Sequence, residues 1–414
     1  MMQKTIDDHQ LKVGMIWNSF GSLAYFGCQW LTTILVVRLA HDYSVAGDLA
    51  LAMSIANIFT PFALFRMRTY QVSDVAEAYS TRDYMGFRLT TCAIALFVCT
   101  LYSIATCPLE SLAPIFVFLL FKTTEQIIDV LNGLDQKVNR LDIAGKSLLA
   151  RAATTLVSFC SILFVTQNLT AALIGEVIAS ALVGVIYDAP KAAQFDIILP
   201  IFNIKRFTEL TRECGSVVLA SVAAGAVMTL PKQQLGSLLG QEALGLYSSI
   251  ASPLAIIQLG ASYLYGPLMG KFAEYYLKKN KKGFMKVLRI SILGIVALGV
   301  ISIVVLTPSA DFILRLLFGE EASEHAYLVT PMIVCTTTTA FFLFSSDLLL
   351  SVRETKINAI TGFAALAIAS CASTPLIHEL GMNAVNVTGV VSYGIAFLVN
   401  LLAVASITSK LDKE

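Results

Sequence analysis

The sequence predicts an all-α integral membrane protein of about 12 transmembrane helices, arranged as two six-helix bundles around a central cavity. Three observations lead to this class: an apolar composition with little charge, a succession of bilayer-length apolar runs, and a one-sided distribution of lysine and arginine.

Of the 414 residues, 56% are hydrophobic and only 14% charged, and the mean hydropathy is +0.74. A soluble globular chain usually carries about 25% charged residues, so there is too little polar side chain here to cover a soluble body of this size. The net charge of +1 gives no basic surface for nucleic acid. The eight cysteines lie mostly within apolar runs, and none forms a CxxC pair. They read as small hydrophobes rather than disulfides or metal ligands.

A helix needs roughly 20 apolar residues to cross a bilayer core of about 30 Å. Runs of that kind fall near 14–37, 45–65, 88–106, 112–134, 146–166 and 169–188, and again near 214–236, 243–268, 287–306, 327–350, 357–377 and 384–407. The first is too long for a signal-peptide core and no small-residue cleavage site follows it, so it is expected to remain as a spanning helix. Backbone groups find no water in lipid, which makes helices the natural form for all of them.

With the N-terminus placed in the cytoplasm, every lysine and arginine falls on the inner side or at an inner helix end except Arg38, Arg315, Lys122, Arg151 and Lys232. Such a bias is a strong positive-inside signal, with both termini inside. "YMGFRLTT" at 84–91 is echoed by "KKGFMKVLRI" at 281–290, and "AGDLALAMSIA" at 46–56 by "LGLYSSIASPL" at 244–254. The halves are then parallel repeats about an axis along the membrane normal. Residues 1–190 form the first bundle, 191–213 a cytoplasmic connector and 214–414 the second bundle.

The fourth span contains "LLFKTTEQIIDVLNGL" at 119–134, an oily segment that accepts Lys122, Glu125 and Asp129. At 100° per residue from Lys122, Gln126 lies at about 40°, Asp129 at about 340°, Gly133 at about 20°, Gln136 at about 320° and Glu125 at about 300°. These form one polar stripe, with Ile127, Ile128, Val130, Leu131 and Leu134 opposite. Lys122 and Asp129 are two turns apart, about 10.5 Å along the axis, too far to pair well; Lys122 with Glu125 or Gln126 is easier. A charge at mid-bilayer costs at least about 2.5–3.5 kcal/mol, which favours a water-filled cavity beside the stripe over simple packing. Asn18, Ser22, Tyr25, Gln29 and Thr32 form a similar stripe on the first span. Lys232 follows Pro231, whose ring frees a carbonyl one turn earlier; a cavity contact and an outer interfacial position are both open to it. For Arg151, an inner-headgroup anchor and a cavity lining are likewise open. Glu176 is the best candidate for a buried protonatable group, and Asp347 is expected to meet water near a helix end.

"AGKS" at 144–147 invites a phosphate-loop reading, but the motif requires glycine where Arg140 stands. The four histidines are scattered, and neither HExxH nor GxSxG occurs. No cofactor, metal or catalytic loop is called for, and an enzyme is not expected.

Residues 54–91, "SIANIFTPFALFRMRTYQVSDVAEAYSTRDYMGFRLTT", resemble the second span and inner loop of bacterial polysaccharide flippases, the O-antigen and capsule repeat-unit translocases of the multidrug/oligosaccharidyl-lipid/polysaccharide exporter superfamily. The matching residues are Asn57, Pro61, Phe62, Met67, Arg68, Tyr70, Gln71, Ser73, Asp74, Tyr79, Ser80, Tyr84 and Arg88; Arg66 stands where that family more usually has glycine. Residues 18–40 resemble its first span and 230–258 its seventh and eighth. The resemblance implies an undecaprenyl-pyrophosphate-linked oligosaccharide, moved from the inner to the outer leaflet of the bacterial cytoplasmic (inner) membrane by alternating access, for lipopolysaccharide or capsule assembly, with polysaccharide polymerase or assembly proteins as partners. On that reading Lys122, Lys232 and Arg151 meet the diphosphate, Asn18, Gln29 and Asn57 face sugars, and Gln126 is a further substrate-binding residue. Arg68 sits at the inner mouth, and Glu176 or Asp129 takes part in ion coupling. A multidrug or cation antiporter of the same superfamily is the alternative, against which Lys122 argues; a membrane scaffold or transferase subunit is a third.

Overall fold

The computed structural model describes residues 8–40, 42–74 and 78–410. Lys4, His41 and Lys413, which entered the sequence reading, lie outside these. Among the described residues the structure is helical, with no strand. Eleven helical segments are long and apolar enough to cross a membrane, and the chain is a multi-pass membrane protein. The helices are α1 Asp8–Ala40, α2 Tyr43–Leu64, α3 Met67–Ser73, α4 Thr81–Thr106, α5 Leu112–Lys137, α6 Leu141–Thr166 and α7 Leu169–Val183, which runs through a π-helical turn, Gly184–Asp188, into α8 Ala189–Ala192. There follow α9 Ile204–Leu239, α10 Gln241–Ala251, α11 Ala255–Tyr265, α12 Met269–Leu277, α13 Lys281–Leu306, α14 Ala310–Leu317, α15 Glu320–Glu324, α16 Val329–Ser351, α17 Thr355–Leu380 and α18 Asn383–Lys410. The 36-residue α9, with Pro231 inside it, occupies the place expected of the seventh span. Two compact units are present, one running to Val218 and the other starting at Leu219, so the division falls inside α9.

Short polar signals end the helices. The Asp42 carboxylate accepts from Ser44 N–H at 2.7 Å to start α2, and Ser80 and Asp83 form a reciprocal capping box at the start of α4. The α2–α3 corner is made by consecutive left-handed residues, Phe65 (φ 48°) and Arg66 (φ 54°). Glycine adopts that backbone without steric cost, whereas Arg66 adopts it with a side chain. Arg66 points outward, exposed.

In the first unit α1 crosses α6 at two glycines. A β-carbon on Gly21 would strike the Gly145 carbonyl, and one on Gly145 would strike the Trp17 backbone. Small residues let the two backbones touch, a common solution where no hydrophobic force drives helices together in lipid. The glycine of "AGKS" is therefore a helix-crossing residue. In the second unit Tyr265, Phe272, Phe284 and Phe344 pack edge to face around a buried aromatic centre. Phe20, Phe97, Val157, Phe164, Val185, Ile186 and Leu402 are exposed. A water-soluble chain would not expose so many large apolar side chains, whereas a bilayer covers them.

Candidate functional site

The polar stripe of α5 is built from two charged clusters, both within the first unit. In the upper cluster Lys122 Nζ lies 2.8 Å from Glu125 Oε2, so the one-turn spacing makes the pair and the two-turn spacing does not. The ammonium also rests against the Phe118 and Phe121 rings, 5.3 and 5.0 Å from their centroids. Side-chain exposures of 19% for Lys122 and 12% for Glu125 leave one flank open. Glu176 on α7 is 2% exposed and interacts electrostatically with both Lys122 and Glu125. Arg151 on α6, 3% exposed, lies 5.4 Å from the Tyr25 ring centre and acts on Lys122 and Glu125 at range. It is sealed in the bundle, with little surface left for either a headgroup or a cavity.

In the lower cluster Asp129 is clamped by two arginines. Arg68 Nη1 reaches Oδ1 at 3.0 Å and Arg88 Nη2 reaches Oδ2 at 3.1 Å. Arg68 also donates to Gln136 Oε1 at 3.2 Å. Arg88, fully buried, donates to the Ala63 carbonyl at 3.1 Å, one of the carbonyls that the end of α2 leaves without a helical partner. Gln71 Nε2 donates to the Val130 carbonyl at 3.2 Å, and its side chain covers Gly133. The lower half of the stripe is therefore packed under α3 and α4, with Gln126 and Gly133 buried, while Asp129 and Arg68 keep side-chain exposures of 17% and 33%. This corrects the expectation of a stripe wetted along its length. The reason is tertiary: two arginines from elsewhere in the chain supply the counter-charge that water was expected to screen.

The other sequence-predicted residues are more dispersed. Asn18 and Gln29 on α1 are half-buried, and Asn57 on α2 is exposed. Lys232 belongs to the second unit, where it is half-buried behind Pro231 and makes no ion pair among the described residues. Asp347 accepts from the Tyr265 hydroxyl at 3.3 Å and so has a protein partner as well as any water. Sequence reasoning missed Arg88, Asp135 and Asp188, all of them fully buried. Arg88 was masked by its place among inner-end cations, and Asp135 by the polar run "LDQK" that reads as a solvated helix end.

No protein-family model matches the sequence. The chain is 26% identical over 305 residues to the capsular polysaccharide biosynthesis protein CapF of Staphylococcus aureus, covering 72% of this chain and 75% of that protein. Its fold is similar to that of the lipid II flippase MurJ in an inward-closed conformation, with a TM-score of 0.73 at 12% identity over 94% of this chain and 89% of that one. It is also similar to an inward-facing multidrug resistance MATE family transporter of the MOP superfamily, with a TM-score of 0.64 at 13% identity over 98% of both chains. The fold is thus the one shared by MOP superfamily transporters. These two solved structures are of a flippase and a transporter.

Proposed function

We propose that this protein is a transporter that moves an undecaprenyl-pyrophosphate-linked oligosaccharide repeat unit from the inner to the outer leaflet of a bacterial cytoplasmic membrane by alternating access. The observation that carries the reading is the coincidence of two independent likenesses. One is to a protein named for capsular polysaccharide biosynthesis over 72% of this chain, and the other is to the fold of a lipid II flippase. The chemistry of the site agrees. A diphosphate and its sugars cannot cross hydrocarbon bare, because burying unpaired charge is too costly. In the first unit Lys122, partly exposed and held by Glu125, is the cation available to an anionic head; in the second it is Lys232, without an ion pair among the described residues. Asn18, Gln29 and Asn57 offer amides to hydroxyls. Arg151 and Gln126, being buried, act from behind this surface. The termini lie in the cytoplasm on this reading, and enzymes that polymerise or export the glycan are its partners.

A multidrug or cation antiporter is the second reading, favoured by the likeness to MATE transporters over 98% of the chain and by the buried Glu176 carboxyl. A strain lacking its own flippase separates the two. Wild type is expected to restore surface polysaccharide, and Lys122→Ala to fail while accumulating normally in the membrane. Normal surface glycan with Lys122→Ala would remove Lys122 from the mechanism. A deletion that changes drug sensitivity and leaves surface glycan intact would favour the antiporter.

A further inference from the structure

Asp135 lies in the last turn of α5, and Asp188 closes the π-helical turn after α7. Both side chains are fully buried, at 0% exposure. Among the described residues neither carboxyl oxygen of Asp135 has a hydrogen-bond partner, and neither does Oδ1 of Asp188; Oδ2 of Asp188 accepts from Ser147 Oγ at 2.9 Å. The two carboxyls interact electrostatically. Asn132, one turn before Asp135 on the same face, presents another buried carbonyl oxygen without a donor among the described residues.

The charges around the pair are engaged elsewhere. Arg140 donates to Asp142 at 2.8 and 3.0 Å, and Lys146, exposed, lies 3.9 Å from the same carboxylate. Arg68 is held by Asp129 and Gln136, and Arg151 lies over Tyr25. The Tyr187 phenol, half-buried, completes the surroundings. Each of these acts on the pair only at range. Both carboxyls also sit toward the C-terminal ends of their helices, where the backbone dipole opposes negative charge. Two buried carboxylates that repel each other are penalised when both are ionised, and a buried acceptor without a donor is costly. The least demanding occupant is a single proton, drawn from the aqueous phase at these helix ends and leaving the pair with one negative charge. Among the described residues no group of three His, Cys, Asp or Glu could hold a metal ion.

We propose that Asp135 and Asp188 form a proton-binding pair in the first unit, and that its loading and unloading accompany the transport cycle. The second clause rests on the transporter reading; the first does not. The link is Arg151, which acts electrostatically on Asp188 at one end and on Lys122 and Glu125 at the other. A proton leaving the pair adds a negative charge that attracts the Arg151 guanidinium, the same cation that acts on Lys122 and Glu125. The π turn, a feature often found at functional sites, shifts the helix register that carries Asp188.

Infrared spectroscopy of the full chain in lipid nanodiscs tests the pair directly. At neutral pH the wild-type-minus-variant difference spectrum is expected to show a protonated-carboxyl stretch for Asp135→Asn and for Asp188→Asn, with the contribution of any other buried carboxyl, such as Glu176, cancelling; no such difference in either variant would overturn the proposal. Thermal unfolding in sodium-free choline buffer gives a second measure. A proton held by the folded state and released by the unfolded chain stabilises at low pH and is lost as pH rises. Wild type should therefore fall in Tm from pH 6 toward pH 9, and Asp135→Asn should fall less and match or exceed wild type at the alkaline end. An Asp135→Asn variant equally destabilised at every pH would overturn it. Sodium that raises Tm at fixed pH in wild type but not in Asp135→Asn would replace the proton with a metal ion. If Asp135→Asn does not accumulate, Asp188→Asn decides by the same readings. Glycolipid transport under an imposed pH gradient tests the second clause, with gradient acceleration expected in wild type and lost in Asp135→Asn. Acceleration retained in the variant refutes coupling. A wild type that moves no glycolipid refutes the transport reading, and the infrared band still decides the pair.

Discussion

The two units bury polarity in opposite ways. In the first, Arg88, Asp135, Arg151, Glu176 and Asp188 are ionisable side chains enclosed by helices. In the second, the buried polar side chains among the described residues are all neutral, including Asn358, Thr361, Ser373, Asn386, Thr388, Ser392 and Asn400. Typical contacts there are Tyr247 to Asn386 at 2.8 Å, Asn400 to Ser345 at 2.9 Å and Tyr393 to the Ala224 carbonyl at 3.0 Å. The contrast separates two ways of joining helices without a hydrophobic force. Neutral hydrogen bonds are weak individually and indifferent to a passing charge. Buried ion pairs contribute little net stability, yet each member becomes a liability when its partner leaves. A unit built on them responds to a change of charge; the other encloses only neutral polar groups among its described residues and carries its cation Lys232 half-buried.

The largest expected effect is at Asp129. Asp129→Asn keeps the shape but strips Arg68 and the fully buried Arg88 of their counter-charge, and removing one partner of a buried pair typically costs about 3–5 kcal/mol. Thermal or denaturant unfolding in detergent should register that loss. A change below about 1 kcal/mol, the range of exposed pairs, would show that water reaches the clamp and would erase the contrast between the units.

Tyr393→Phe probes the neutral unit with a smaller step. The phenol loses its bond to the Ala224 carbonyl, while the ring keeps its stack on Phe342 at 4.9 Å between centroids. One neutral hydrogen bond contributes about 0.5–1.5 kcal/mol, and the carbonyl belongs to the interior of α9, where the helix supplies its own donor. The same unfolding assay should return a loss of about 1 kcal/mol. A loss as large as that of Asp129→Asn would mean that the neutral network is as brittle as the charged one.

What the chain discloses beforehand follows the same division. The spans are legible because bilayer thickness imposes a length on every apolar run, and the pattern survives without tertiary knowledge. The Lys122–Glu125 pair is legible for a similar reason, since a separation of three residues on a helix is a local fact. The clamp on Asp129 is not local: Arg68 and Arg88 lie 61 and 41 residues away in sequence. By composition Arg88 is one more basic residue at a helix end, and only the fold turns it inward. Asp135 and Asp188 are hidden for the same reason, each flanked by residues that suit a solvated helix terminus. Arg66 is the reverse case, where a departure from a resembling family acquires its meaning from a backbone angle.

The smallest expected effect lies outside the membrane, at the turn between α3 and α4, and it sharpens the comparison by moving the same chemistry into water. Burial pushes the Asp74 carboxyl up, but the N–H groups of Ala78 and Tyr79 (3.0 Å each), the Tyr84 hydroxyl (3.0 Å) and the nearby Lys137 charge outweigh it and hold it below the ordinary carboxylate range. A depressed carboxyl contributes stability that is present above the unfolded-state value, about 3.9, and lost as pH falls through the folded one. Asp74→Asn keeps one acceptor oxygen and loses the charge, so it should cost under about 1 kcal/mol at neutral pH. The difference from wild type should shrink as unfolding is measured from about pH 7 down toward about pH 3. A difference that stays constant across that range would assign the Asp74 contacts to shape rather than charge. The buried clamp at Asp129 would then be the better place to look for charge acting on structure.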